Sequence, residues 1–105
     1  MDTFLYMKIP KTINILSEIY TIIEESDFFE VNGEILRGHV NFEKRIIRVY
    51  NPNFVSALKT FYHEVAHIIC HELNLYDNEH NEKFIDTFAI GLADTLIRNK
   101  LIKGD

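Results

Sequence analysis

The chain has 105 residues, of which 47% are hydrophobic and 26% are charged, with only 4 Gly and 2 Pro. This composition is typical of one packed domain and excludes a disordered or fibrous chain. The formal net charge is -5 and the Lys and Arg residues form no cluster, so we expect no nucleic-acid partner.

The cysteine content and the N-terminal residues indicate the cellular compartment in which the protein is expected. Cys70 is the only cysteine, so no internal disulfide can form and a reducing environment is expected. Residues 1–16 include Asp2 and lack the continuous apolar run of a secretion signal. No segment approaches the roughly 18 apolar residues of a membrane span. We therefore expect a cytoplasmic protein with no membrane partner.

The first half of the chain, from about residue 12 to residue 50, is patterned as strands. It contains short runs of β-branched and aromatic residues, which suit a half-buried pleated surface. Asn32-Gly33 predicts a hairpin turn, and the polar residues 43–45 predict a second one. These features predict a small antiparallel sheet of three or four strands, with candidate strands at residues 13–16, 19–23, 35–42 and 46–50.

The second half is patterned as two helices, which begin after the turn residues Asn51-Pro52-Asn53. The first helix is predicted over about residues 54–75, and its apolar arc contains Leu58, Phe61, Tyr62, Val65, Ile68, Ile69 and Leu75. The second is predicted over about residues 79–100, before Gly104, and its apolar side contains Phe84, Ile85, Phe88, Leu92 and Leu96. We therefore expect a single α+β domain over residues 1–105.

An HExxH motif, His63-Glu64-Val65-Ala66-His67, lies inside the first predicted helix. Residues four apart lie on one helix face, so His63 and His67 can direct ring nitrogens at one metal ion. Glu64 lies about 100° around the helix from His63, within reach of a water molecule on that metal, as a general base requires. The motif predicts a zinc site with Glu64 as its catalytic base.

The second predicted helix offers a third ligand. Glu82 and Asp86 interrupt its apolar side, and burying a carboxylate costs several kcal/mol unless the group is paired or binds a metal. We therefore expect both to be buried, with zinc as the partner of Glu82 and an imidazole N–H as the partner of Asp86. Glu79, His80 and Asp86 are alternative third ligands.

His63 to His67 together with Asn81-Glu82-Lys83-Phe84-Ile85-Asp86 resembles the HExxH…NExxxD signature of the gluzincin zinc metallopeptidases. The resemblance implies that His63, His67 and Glu82 bind zinc, that Glu64 is the base, and that Asp86 orients a ligand histidine, His63. The strands-then-helices layout is also similar to the small ImmA/IrrE-type proteins of phages and mobile elements, although Phe84 and Ile85 replace the Glu and Ala of their pattern. The resemblance implies a minimal zincin-like fold.

Several other residues are weaker candidates for a role in the predicted site. Tyr76 and His80 lie in the predicted inter-helix loop, where either could donate a hydrogen bond to the oxyanion of a tetrahedral intermediate. His71 is interpreted as a solvated helix residue and Cys70 as a packing residue. Residues 46–50 are predicted to present a sheet edge on which an extended peptide substrate adds as another strand.

The sequence therefore predicts a metalloendopeptidase-like hydrolase that uses zinc to cleave a protein or peptide substrate. Two alternatives belong to other functional classes. The chain could be a catalytically inactive, zinc-stabilised regulatory module of a phage or mobile element, or a metal-free helical interaction protein. Two imidazoles and a carboxylate would also suit iron, cobalt or nickel.

Overall fold

The computed structural model describes residues 8–98, and it places strands in the N-terminal half and helices in the C-terminal half, as an α+β domain. This confirms the predicted class. The strands are β1 (Thr12–Ile15), β2 (Glu18–Glu25), β3 (Phe29–Val31), β4 (Glu34–Leu36), β5 (Gly38–Asn41) and β6 (Ile46–Tyr50). The helices are α1 (Phe54–Glu72), α2 (Tyr76–Glu79) and α3 (Glu82–Arg98).

Four of the strands form a mixed sheet in the order β1-β2-β6-β5. The pairs β1–β2 and β5–β6 are antiparallel. Strand β6 runs parallel to β2, with Thr21 opposite Ile46 and Glu25 opposite Tyr50. The prediction of a wholly antiparallel sheet is therefore wrong. The 20 residues between β2 and β6 are long enough for the crossover that parallel neighbours require.

The segment between β2 and β6 contains a separate hairpin of β3 and β4. Its turn residues, Asn32 and Gly33, have φ angles of 51° and 85°, which are typical of a two-residue hairpin turn. The predicted Asn32-Gly33 turn is confirmed. The predicted single strand at residues 35–42 is wrong, because the strand is interrupted at Arg37. Its first part, β4, pairs with β3, and its second part, β5, pairs with β6.

The core lies between one face of the four-stranded sheet and α1. Asn53 caps α1, since its Oδ1 accepts a hydrogen bond from the Ser56 N–H at 2.9 Å. The predicted apolar arc supplies the buried residues Leu58, Phe61, Val65 and Ile68, and the sheet supplies Ile15, Tyr20, Ile22, Ile47 and Val49. Leu75, also predicted on this arc, is exposed because it lies beyond the end of the helix.

A tight turn separates α1 from the two following helices. Asn74 has a φ angle of 57°, and the Leu75 N–H donates a hydrogen bond to the Cys70 carbonyl at 2.8 Å, which is the pattern of a Schellman cap. Asn81 then caps α3 through the Phe84 N–H, at 3.0 Å. The second predicted helix therefore begins at Glu82, after the separate turn of α2, and its predicted end at Lys100 and Gly104 lies outside the described residues.

Helix α3 packs on α1 through a narrow strip of one isoleucine and two alanines. Ile85, Ala89 and Ala93 are buried, and Ile85 packs in a cluster with Ala66 and Cys70 of α1. Phe84 and Phe88 were predicted on the apolar side, but both are exposed and their rings stack on each other. The side chain of Leu96 lies outside the described part. Within residues 8–98, no helix combines the length and the apolar character needed to cross a membrane.

Candidate metal centre

The HExxH motif lies in the middle of α1, on the side that faces α3. The rings of His63 and His67 are neighbours, with centroids 4.9 Å apart, as the four-residue spacing predicts. Both side chains are partly buried. The helix therefore presents two imidazoles to one point in space.

Glu82, the first residue of α3, completes the group. The His63 Nε2 atom lies 3.4 Å from Glu82 Oε2, and His67 Nε2 lies 3.4 Å from Glu82 Oε1. One ligand atom from each of these residues lies within 4.8 Å of the others. Among the described residues, this is the one such cluster of His, Cys, Asp or Glu found able to hold a metal ion.

Asp86 lies one helical turn beyond Glu82 and contacts the other nitrogen of His63. The Nδ1 atom of His63 is 2.7 Å from Asp86 Oδ1, so the Nδ1–H donates to the carboxylate. A ring that donates from Nδ1 presents the Nε2 lone pair to Glu82, as a metal ligand must. A neutral His63 in this tautomer and Glu82 would together offer two acceptor atoms to a cation.

His67 is held in the form that binds metals. Burial lowers its pKa, the nearby His63 lowers it further, and Glu82 acts in the opposite direction. The neutral imidazole is therefore favoured in the metal-free protein, and only the neutral ring has a lone pair available for a metal.

The two carboxylates are not buried, which contradicts the sequence prediction. The side chains of Glu82 and Asp86 remain 66% and 59% exposed. Helix α3 contacts α1 through Ile85 and Ala89, so the two acids lie at the rim of this contact, where they reach the histidines and solvent together. The imidazole predicted as the partner of Asp86 is present, and Glu82 lies beside both motif histidines. The prediction that the two carboxylates are buried is wrong.

Glu64 is the acid that is buried, with only 8% of its surface exposed. Burial, together with the smaller effect of the negative charge of Glu82, raises its pKa to about 7. Gly38 of β5 allows this close packing, because a Cβ there would lie 2.7 Å from Thr60 Cγ2 and 3.2 Å from Glu64 Oε2. The edge strand thus lies directly against the motif.

A cleft of about 320 Å³ opens beside His63 and Glu64, and a neighbouring cleft of about 410 Å³ continues from it. Both are lined by Arg37, Lys59 and Thr60. These three residues were absent from the predicted site. Lys59 precedes His63 by four residues, so helix spacing alone could have placed it there, whereas no sequence signal points to Arg37.

The remaining candidates lie on the other side of the histidine pair. His71 is half-exposed and stacks on Phe42, with its Nδ1 3.3 Å from Glu79 Oε1. His80 lines a separate cleft with these residues. Glu79 is therefore paired with His71 and not grouped with the two motif histidines. The side chain of Tyr76 lies outside the described part, so its predicted role, like that of His80, stays a prediction.

Cys70 is free and buried, and it packs with Ala66 and Ile85. Burial raises the pKa of its thiol, with Glu79 adding to the effect, and a raised pKa keeps a thiol unreactive. Its interpretation as a packing residue is confirmed.

Comparisons with known proteins identify no relative of this chain. No protein-family model, curated protein or solved structure matches the chain. The grouping of His63, His67 and Glu82 is therefore the observation that bears most directly on function.

Proposed function

We propose that the protein is a zinc-dependent metallopeptidase. The observation that carries the proposal is the 3.4 Å separation between each motif imidazole nitrogen and a carboxylate oxygen of Glu82. Ligands about 2.0–2.1 Å from a tetrahedral zinc lie about 3.3–3.4 Å from one another. The donor set therefore fits zinc, with His63, His67 and Glu82 as ligands.

When bound, zinc would supply Lewis acidity, which polarises a peptide carbonyl and lowers the pKa of a water molecule. The protein residues orient the ligands and transfer the protons. Asp86 orients His63 by accepting its Nδ1–H. Glu64 accepts a proton from the attacking water and returns it to the leaving amine, and its raised pKa, about 7, suits a group that must both take and give a proton near neutral pH.

The proposed substrate is an extended peptide that adds to the edge of the sheet at β5. The sequence interpretation placed this edge at residues 46–50, but β6 lies between β2 and β5 and has no free edge. Strand β5 is the outermost strand on that side, and its Gly38 lies against Thr60 and Glu64. A peptide paired with β5 would therefore run past the catalytic base.

The test combines zinc analysis with peptide cleavage. The purified protein is expected to contain one zinc ion and to cleave peptides from a diverse pool, as measured by mass spectrometry. Glu64→Gln should keep the zinc and lower the cleavage rate by about 10²–10⁴-fold, the range for losing a general base. The matched control is Glu43→Gln, at an exposed turn residue, which should change neither quantity.

Two outcomes would contradict the proposal and select an alternative. Tight zinc binding without cleavage of any peptide would favour a zinc-stabilised regulatory module. A protein that binds no zinc and loses no stability in a chelator would favour a metal-free interaction protein.

A further inference from the structure

Two cationic side chains line the cleft beside the candidate metal-binding group, although the whole chain has a net charge of -5. Arg37 and Lys59 line both the cleft that contains His63 and Glu64 and the neighbouring cleft. They come from different elements, since Arg37 precedes β5 and Lys59 lies in α1. The fold therefore brings two positive charges to one side of the site.

Within residues 8–98, no carboxylate lies within ion-pairing distance of either cation. Other arginines of the chain do have such partners, as in the pairs of Arg45 with Glu18 and Arg48 with Glu25, both at 2.8 Å. The guanidinium of Arg37 lies 5.7 Å from the centroid of the Phe28 ring, a contact that leaves its hydrogen-bond donors available.

Among residues 8–98, the acids that line the same cleft form no ion pair with these cations. Glu64 and Asp86 also line it, but Asp86 accepts the hydrogen bond of His63 at 2.7 Å. Glu64 is the catalytic base under the proposed function. The cleft thus contains Glu64 and Asp86, which have roles in the proposed reaction, together with two cations that pair with no carboxylate among residues 8–98.

We propose that this cleft selects peptides with an Asp or Glu side chain close to the bond that is cut, and that this side chain binds between Arg37 and Lys59. The inference rests on the proposed peptidase function and names its substrate class. A cleft of 320 Å³ is roughly 8 Å across, which an extended chain crosses in about two or three residues. The acidic residue is therefore expected within about three residues of the cut bond.

The carboxylate belongs to a side chain and not to the end of the substrate. The groove continues beyond Arg37 and Lys59 into the second cleft, whose wall includes Phe28, Tyr50 and Pro52. The rings of Phe28 and Tyr50 lie 4.6 Å apart and offer an apolar surface to the next residues of a peptide that continues past the cations.

The first experiment compares matched peptides. The zinc-loaded protein is given a diverse peptide pool, and the best-cleaved sequence is resynthesised with Asn or Gln in place of each Asp or Glu near the cut. We expect about a tenfold loss of kcat/KM for one such replacement, and a smaller loss at high ionic strength because salt screens exposed charges. A variant that ends at the acidic residue, with a free or amidated C-terminus, separates a side-chain carboxylate from a terminal one.

The second experiment reverses the charge of the cleft. The double variant Arg37→Glu/Lys59→Glu should lose the preference for the acidic peptide and prefer the same peptide carrying Lys at that position. Lys44→Gln, at an exposed turn residue outside both clefts, should leave the preference unchanged. If Arg37 and Lys59 only supported folding, charge reversal would lower activity without inverting the preference between acidic and basic peptides.

Binding measurements keep the inference separate from the catalytic proposal. The Glu64→Gln protein is titrated with fluorescent acidic and amide-matched peptides, which needs no turnover. About tenfold tighter binding of the acidic peptide, lost on charge reversal, would support the inference even if no peptide is cleaved. Equal binding of the two peptides, or cleavage sites without enriched Asp or Glu, would overturn it while leaving the peptidase proposal intact.

Discussion

The Nδ1 atom of His63 in α1 lies 2.7 Å from Oδ1 of Asp86 in α3, so one hydrogen bond joins the two helices that supply the candidate metal-binding group. The bond leaves the opposite nitrogen of His63 facing Glu82 at 3.4 Å. A single carboxylate thus orients one histidine of the candidate metal-binding group and adds a polar contact between the two helices.

Removing this carboxylate should weaken metal binding. Asp86→Ala is expected to lower zinc affinity by about 10–100-fold, the range for losing a hydrogen bond to a ligand histidine. Asp86→Asn should lose less, because its amide oxygen still accepts the Nδ1–H. Competition with a chromogenic chelator measures both, and Asp94→Ala, two turns further along α3, is the matched control. An unchanged affinity in Asp86→Ala would contradict the orienting role.

The identity of the third ligand can be tested with a pair of matched variants. Glu82→Gln should lower zinc affinity by more than the roughly 10–100-fold that an outer hydrogen bond contributes, because it removes a charged ligand. Glu79→Gln should leave zinc bound, since Glu79 pairs with His71. Inductively coupled plasma mass spectrometry of the dialysed proteins measures the zinc content. The opposite pattern would make Glu79 the ligand.

Gly38 is predicted to be required where β5 meets α1. In Gly38→Ala the new Cβ would lie 2.7 Å from Thr60 Cγ2, so the free energy of unfolding should fall by about 1–3 kcal/mol, as in other overpacked sites. Chemical denaturation measures the loss. Adding Thr60→Ser, which removes that methyl group, should restore part of it.

A control for the backbone effect is Gly91→Ala. In the part of the chain that the structure describes, no other segment lies within 4 Å of a Cβ at Gly91, which is inside α3, so alanine there should raise the stability by about 0.5–1 kcal/mol. Equal changes in the free energy of unfolding for Gly38→Ala and Gly91→Ala would show that contact with Thr60 does not exclude a larger side chain at residue 38.

Glu64 should make the metal-free protein less stable as the pH rises. Its pKa is about 7 in the folded chain against an ordinary value of 4.5, so the folded state binds the extra proton. The resulting stability is fully present below about pH 4.5 and is lost as the pH rises through about 7. The loss is about 3 kcal/mol, from the pKa difference.

Chemical denaturation in a chelator, repeated from pH 4.5 to pH 8, measures this dependence. Glu64→Gln removes the contribution of Glu64 and serves as the reference. The lowered pKa of His67 makes both proteins more stable as the pH rises, so its effect cancels in the comparison. Parallel stability curves for the wild type and Glu64→Gln would contradict the raised pKa.

The parts of the site that depend on local geometry could be predicted from the sequence. The spacing of His63 and His67 becomes a shared helix face through the helical repeat alone, and Asn32-Gly33 forms a hairpin turn because these residues tolerate a positive φ angle. The approach of Glu82 and Asp86 to the histidines was also predicted. Their predicted burial was wrong, since helical periodicity indicates which side of α3 an acid occupies but not whether another element covers that side.

What only the tertiary structure decided is the arrangement of segments distant in sequence. The parallel pairing of β2 with β6 places β5 at the sheet edge, and the break at Arg37 brings Gly38 against Thr60 and Glu64. The sequence by itself determined the α+β class and the spacing of the HExxH residues, because both follow from periodicities of two and 3.6 residues. Strand order, the burial of Glu64 and the cationic side of the cleft come from packing between elements, which no local pattern encodes.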